Sequence, residues 1–184
     1  MPGSDRWRVL ILAAGRGTRM GGPKALMQVG GRPWWQLQEE RLADTPRTWI
    51  VSPDVAPHLP TCTLITADPD APMFSSIRAG LAAATTEPGL FILPVDVPAP
   101  APSTLAALSR SARDGVAIPT YHSKRGHPVA LSRAWITRVF QPAAHQDQRL
   151  DRLIAPDAIE VAVDDPDIAI NLNTPQDVEQ WLRR

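Results

Sequence analysis

The segment Trp7–Lys24 reads WRVLILAAGRGTRMGGPK. Its first part, Trp7–Ala13, is an apolar run of strand length, the pattern of a strand buried on both faces. The strand runs directly into a loop holding Gly15, Gly17, Gly21 and Gly22, together with Arg19, Pro23 and Lys24. Glycines let a backbone approach a ligand closely and turn its N–H groups into an anion nest. With two cations fixed beside them, these parts suit a di- or triphosphate. Two familiar phosphate loops fail on spacing. A Gly-x4-Gly-Lys-Ser/Thr loop is excluded because Lys24 follows Pro23 and precedes Ala25. A Gly-x-Gly-x-x-Gly fingerprint is excluded because Met20 stands at the third glycine.

Outward from that loop, short apolar runs alternate with helix-like stretches. Strands are expected at Arg47–Ser52, Cys62–Thr66, Gly89–Val95, Gly115–Pro119, His127–Leu131 and Ala158–Val163. Helices are expected at Pro33–Ala43, Met73–Ala84, Ser103–Ala112, Ala134–Phe140, Gln148–Ile154 and Thr174–Leu182. Ser103 and Thr174 stand as the caps of two of them. Alternation of this kind predicts an α/β fold with a mostly parallel sheet covered on both faces, and ligands at the carboxyl ends of its strands.

Composition narrows the function classes. The chain has 184 residues, consistent with one domain spanning 1–184. Lys+Arg and Asp+Glu are both 19, which argues against a nucleic-acid or membrane-surface binder. One cysteine, Cys62, excludes a disulfide framework and a Cys-rich zinc site. No apolar run has the length of a membrane span or a signal-peptide core, so a cytoplasmic location is expected. Proline is abundant at 20 residues, where about nine would be average, and falls mostly in turns. Of the 19 basic residues only Lys24 and Lys124 are lysines. One of the two therefore lies in the glycine loop, where a compact ammonium serves as a point charge on phosphate.

Other candidates stand further along. Asp96 ends the Gly89–Val95 strand and is either a Mg²⁺ ligand on the sheet's ligand edge or a turn aspartate. Asn171 and Asn173 share one side of an extended segment, where their amide oxygens could reach a hard cation; equally, Asn173 or Thr174 caps the last helix. Asp164 and Asp165 read as a solvated turn. Arg125 and His127 flank Gly126 and either contact an anionic substrate or form a surface turn. The six tryptophans are expected mainly in the core.

Five ordered blocks carry a resemblance. They are Leu12-Ala13-Ala14-Gly15-x-Gly17-x-Arg19-Met20-Gly21 with Lys24, Pro72 to Leu81 (PMFSSIRAGL), Leu93 to Pro98 (LPVDVP), Arg125 to Pro128 (RGHP), and Asn171 to Asp177 (NLNTPQD). Over nearly its whole length the chain resembles the molybdenum cofactor cytidylyltransferase and guanylyltransferase family. That resemblance implies a three-layer α/β/α Rossmann-like nucleotidyltransferase fold. It implies transfer of a nucleotidyl group from CTP or GTP to the terminal phosphate of molybdopterin, with Mg²⁺ and release of pyrophosphate, and a molybdoenzyme as a further partner. By the same resemblance Arg19, Lys24 and Asp96 would be catalytic, and Asp96 with Asn173 would hold the metal. Leu12, Ala13, Ala14, Gly15, Gly17, Lys24, Ser75 and Ser76 would contact the nucleotide, and Arg125 and His127 the acceptor. Ala14 and the RGHP block look cytidylyl-like, which favours CTP, whereas Asn171-Leu172-Asn173 looks guanylyl-like.

Overall fold

The computed structural model describes residues 6–17, 21–140 and 149–184. The opening apolar run forms β1 (Arg8–Ala13), and Val9, Ile11 and Ala13 face one side while Leu10 and Leu12 face the other. A short hairpin, β2 (Gln28–Val29) and β3 (Arg32–Pro33), leads into α1 (Trp34–Arg41). Then come β4 (Arg47–Val51), β5 (Leu64–Thr66), α2 (Met73–Ala83), β6 (Gly89–Pro94) and α3 (Pro102–Ser111). The chain continues through β7 (Val116–Tyr121), β8 (Lys124–Arg125), β9 (Val129–Ser132), α4 (Arg133–Val139), α5 (Leu150–Ile154), β10 (Ala158–Ala162) and α6 (Pro175–Leu182). The sheet order is β10-β7-β9-β6-β1-β4-β5, with β8 also paired to β7.

The three-layer α/β/α architecture is as expected. On one face, α3 packs Leu105 and Leu108 against Val9, Ile11, Trp49 and Phe91. On the other, α2, α4 and α5 bring Phe74, Ile77, Trp135, Ile136 and Ile154 onto Leu10, Ile50, Leu90 and Ile92. The second packing is close. A methyl group on Gly80 of α2 would lie 2.6 Å from Leu10 Cδ1. The tryptophans Trp34, Trp49 and Trp135 are fully buried, and each indole N–H has an acceptor: Val95 O, Glu39 Oε1 and Asp157 Oδ2. Core placement of large aromatics is worth about 3–5 kcal/mol each against alanine, provided that polar edge is satisfied. Among the described residues, no helix is long and apolar enough to cross a membrane.

Three local expectations change. The two consecutive strands expected around residues 115–131 do not pair in parallel: β9 runs antiparallel to both β6 and β7, an exception within the mostly parallel sheet. The reversal comes from a two-residue turn at His122 and Ser123, both at positive φ (47° and 63°), which pairs β7 with β8. Helix α3 begins at Pro102 rather than Ser103, because proline's fixed φ suits a first helical position. Asp165 caps the turn Pro166–Ala169 by accepting from Asp167 N, and its Oδ2 also accepts from Ala101 N and Thr104 Oγ1 at the start of α3, both at 2.8 Å. Asp165 is thus a buried cap and not a solvated residue, whereas Asp164 is exposed.

Candidate active site

The carboxyl ends of β1 and β6 lie side by side, since Val95 N donates to Leu12 O across them. This puts the glycine loop and Asp96 on one edge of the sheet. The loop bends back on itself, with Gly22 N donating to Gly17 O at 3.3 Å. Gly17 has φ +61°, and a Cβ there would lie 2.0 Å from Gly22 O. Only glycine satisfies both the dihedral and the close approach.

Asp96 is fixed through the backbone around it. Trp34 Nε1 donates to Val95 O at 2.6 Å, and Leu172 N donates to Asp96 O at 2.7 Å. The buried Gln38 side chain donates to Val97 O and accepts from Ala99 N. Helix α1 and the residue 170–173 segment therefore clamp the turn on either side of the carboxylate. Burial of Trp34 against Leu172, Val178 and an edge-on Trp181 ties α6 into the same clamp. Trp34 and Gln38 do their positioning through main-chain groups some sixty residues away.

Three expected site residues meet at one point. Lys24 Nζ lies 2.8 Å from Asp96 Oδ2 and 2.6 Å from Asn173 Oδ1. Asn173 is free to do this because Thr174 caps α6. Thr174 accepts from Asp177 N, and Asp177 Oδ2 accepts from Thr174 N and Asn173 N in a reciprocal box. These contacts, with the Thr174 hydroxyl first among them, hold the half-buried Asp177 carboxyl below its usual range. Asn171 is exposed.

One cavity reaches this point, and a second shares part of its wall. The first, of about 330 Å³, is lined by Leu12, Ala14, Gly15, Gly17, Lys24, Ser76 and Asp96, all expected at a nucleotide site. Ala13 points instead into the core on the opposite face, and Ser75 lines a separate cavity between α2 and α4. Arg19 lies outside the described residues. The first cavity also has a wall that the sequence did not reveal, formed by Asp68, Pro69 and Ala71 before α2. Asp68 Oδ1 accepts from Asp70 N at 2.9 Å, which orients its carboxylate. An acidic residue in a loop gives no signal of its own; its place after β5, at the sheet's ligand edge, was the available clue. Arg16 of the glycine loop pairs with Asp70 across the rim.

The second cavity, of about 450 Å³, shares Leu12, Met73 and Pro94 with the first and is otherwise lined by apolar side chains, His127 and the Arg149–Asp151 ion pair. Gly126 lets the chain press against the turn before α6: a Cβ there would meet Ile168 O at 2.1 Å, and His127 N donates to that same oxygen. Burial holds the His127 imidazole below its ordinary pKa, with the Asp96 carboxylate pulling the other way. Its Nδ1 is buried without a hydrogen-bond partner. A neutral imidazole beside a carboxylate is the expected state. Arg125 does not join this group; it pairs with Glu160 of β10.

The donor set also fits a magnesium ion. Asp96 and Asn173 offer two hard oxygens that already converge on a cation, the Lys24 ammonium. Mg²⁺ takes one or two protein oxygens and completes its shell with phosphate and water. Among the described residues, no group of three or more His, Cys, Asp or Glu is poised to hold a metal.

Residues 9–162 match the family model of the MobA-like NTP transferase domain. The chain belongs to this family. It is 34% identical over 181 residues to a molybdenum cofactor guanylyltransferase of Pseudomonas fluorescens, covering 91% of this chain and 90% of that protein. A protein of Mycobacterium sp. strain JC1 shares the fold with a TM-score of 0.79 at 24% identity, covering 97% and 96% of the two chains. A molybdopterin-guanine dinucleotide biosynthesis protein A of Archaeoglobus fulgidus does so with a TM-score of 0.69 at 17% identity, covering 94% and 95%. As a MobA-like NTP transferase the chain is a nucleotidyltransferase. The glycine loop, Lys24 and Asp96 line one cavity at the carboxyl ends of the strands, the edge at which open α/β sheets bind their ligands.

Proposed function

We propose that this protein is a molybdenum cofactor guanylyltransferase, moving GMP from GTP to the terminal phosphate of molybdopterin. The observation that carries the proposal is the meeting of Lys24 with Asp96 and Asn173 at a cavity walled by the glycine loop, beside a second, more apolar cavity that shares Leu12, Met73 and Pro94 with it. The first cavity suits a nucleoside triphosphate. The second suits a flat heterocyclic acceptor whose phosphate points inward.

In the reaction, an oxygen of the acceptor phosphate bonds to the α-phosphorus as the bond to the bridging oxygen of the β-phosphate breaks. Pyrophosphate leaves with that electron pair. The acceptor is already anionic, so no side chain has to remove a proton. The work left to the protein is alignment and charge stabilisation, which dominate phosphoryl-type transfers. Backbone N–H groups from Gly15 onward would receive the triphosphate, helped by the N-terminus of α2. Lys24, on a flexible four-carbon stem, would follow the charge that builds on the transferred group and the leaving pyrophosphate. Neutral His127 would hydrogen-bond the acceptor phosphate without adding a cation that weakens the nucleophile. Mg²⁺ held by Asp96 and Asn173 would neutralise phosphate charge.

Two features support GTP over CTP. The curated relative above is named a guanylyltransferase, so the preference for CTP expected from Ala14 finds no support there. In addition, Asp68 presents a carboxylate to the nucleotide cavity. Guanine offers adjacent N1–H and N2–H₂ donors that a carboxylate accepts as a pair, whereas the pairing edge of cytosine offers one amino group. GTP is therefore expected to bind more tightly than CTP, and Asp68→Asn to reduce that discrimination by roughly ten- to a hundredfold. Isothermal titration with each of the four nucleotides checks this. Tighter binding of CTP by the wild-type chain would reverse the base assignment.

A further inference from the structure

Lys24 occupies both oxygens that a divalent cation would use. Its ammonium donates to Asp96 Oδ2 and Asn173 Oδ1 at once, in a pocket where the lysine is 16% and the aspartate 22% exposed. A magnesium ion bonds its oxygens at about 2.1 Å and needs their lone pairs directed at it. It cannot take those positions while an ammonium stands a few ångströms away. Even in an effective dielectric of about 20, that repulsion exceeds a tenfold loss of affinity.

If Asp96 and Asn173 are the metal ligands, as proposed above, the site has a built-in order. We propose that Lys24 closes the metal position in the nucleotide-free protein, so that a divalent cation gains both oxygens only when a triphosphate draws the ammonium away. Lys24 lines the nucleotide cavity together with Gly15 and Gly17, so its new partner would lie next to its old ones. Its long stem allows the move by rotamer change alone. Asp177, the other carboxylate that senses Lys24, has its Oδ2 committed to the N–H groups of Asn173 and Thr174 in the cap of α6. The metal would therefore enter together with the nucleotide, and the empty enzyme would bind little of it.

Binding of Mn²⁺ to the full-length, nucleotide-free protein tests this, with free Mn²⁺ read by electron paramagnetic resonance. Lys24→Met is expected to bind Mn²⁺ at least about tenfold more tightly than wild type. Adding Asn173→Ala to that variant should remove the gain. Equal or weaker binding by Lys24→Met would overturn the proposal, since the lysine would then be organising the oxygens and not blocking them. A second measurement needs no variant. The chain has only two lysines, and Lys124 is exposed. With an amine-reactive label and mass spectrometry, Lys24 of the nucleotide-free protein should react slowly beside Lys124, and its rate should not change as Mn²⁺ is raised. Labelling of Lys24 that speeds up with Mn²⁺ alone would also overturn the proposal, since the metal would then displace the ammonium without a triphosphate. Neither readout uses GTP or an acceptor, so a different substrate assignment would leave both outcomes interpretable.

Discussion

Asp96→Asn is expected to lower turnover by about three orders of magnitude, roughly 4 kcal/mol in barrier, with the unfolding midpoint nearly unchanged. The contrast between activity and stability follows from how the residue is held. Its backbone is clamped by Leu172 N, and its neighbours by Trp34 and Gln38, none of which touches the carboxylate. The isosteric amide keeps an oxygen for Lys24, so the local packing survives. The negative charge is what disappears, and with it the stronger of the two protein oxygens for a divalent cation. Steady-state pyrophosphate release beside a thermal melt measures both quantities. Turnover within tenfold of wild type would remove Asp96 from the chemistry.

Gly17→Ala should have an effect of similar size by another route. At φ +61°, with Gly22 O only 2.0 Å from the position of a new Cβ, the loop cannot keep its path. Alanine in the left-handed region costs on the order of 1 kcal/mol per residue, and the clash adds to it. Opening the loop misdirects the N–H groups meant for the triphosphate, so nucleotide affinity should fall by roughly a hundredfold or more. The loop packs outside the two main apolar clusters, so a stability loss of more than about 2 kcal/mol is not expected. Nucleotide titration and denaturant unfolding of the same preparation separate the two effects. Unaltered nucleotide affinity would show that the loop is only a turn.

The sequence made the centre of the sheet legible and left its periphery obscure, for identifiable reasons. β1 and β6 are buried on both faces, and an apolar run of six residues has few other uses. The direction of β9 was hidden because its hairpin turn is His122-Ser123, without the glycine or asparagine that marks such turns. Asp165 looked solvated because its partners, Ala101 and Thr104, are about sixty residues distant. The choice between Asn173 and Thr174 as helix cap could not be made from composition, since both residue types cap well. It was the Thr174–Asp177 box that released the asparagine for Lys24.

Around the site, the residues legible in sequence were those with a chemical signature: glycines, a rare lysine, a strand-end aspartate. Trp34 and Gln38 were missed because they act on backbone groups, which no motif encodes. Nearness in sequence groups Arg125 with His127, yet Arg125 belongs to β8 while His127 lies between β8 and β9, outside the strand alternation that would put them on one face. One side chain reaches Glu160 and the other lines the second cavity.

The most direct test measures pyrophosphate released from each of the four nucleoside triphosphates, with and without molybdopterin, at saturating Mg²⁺. The account predicts stoichiometric release that requires the acceptor and is fastest with GTP. Release without the acceptor, or none with GTP while another nucleotide supports it, would contradict the proposed activity.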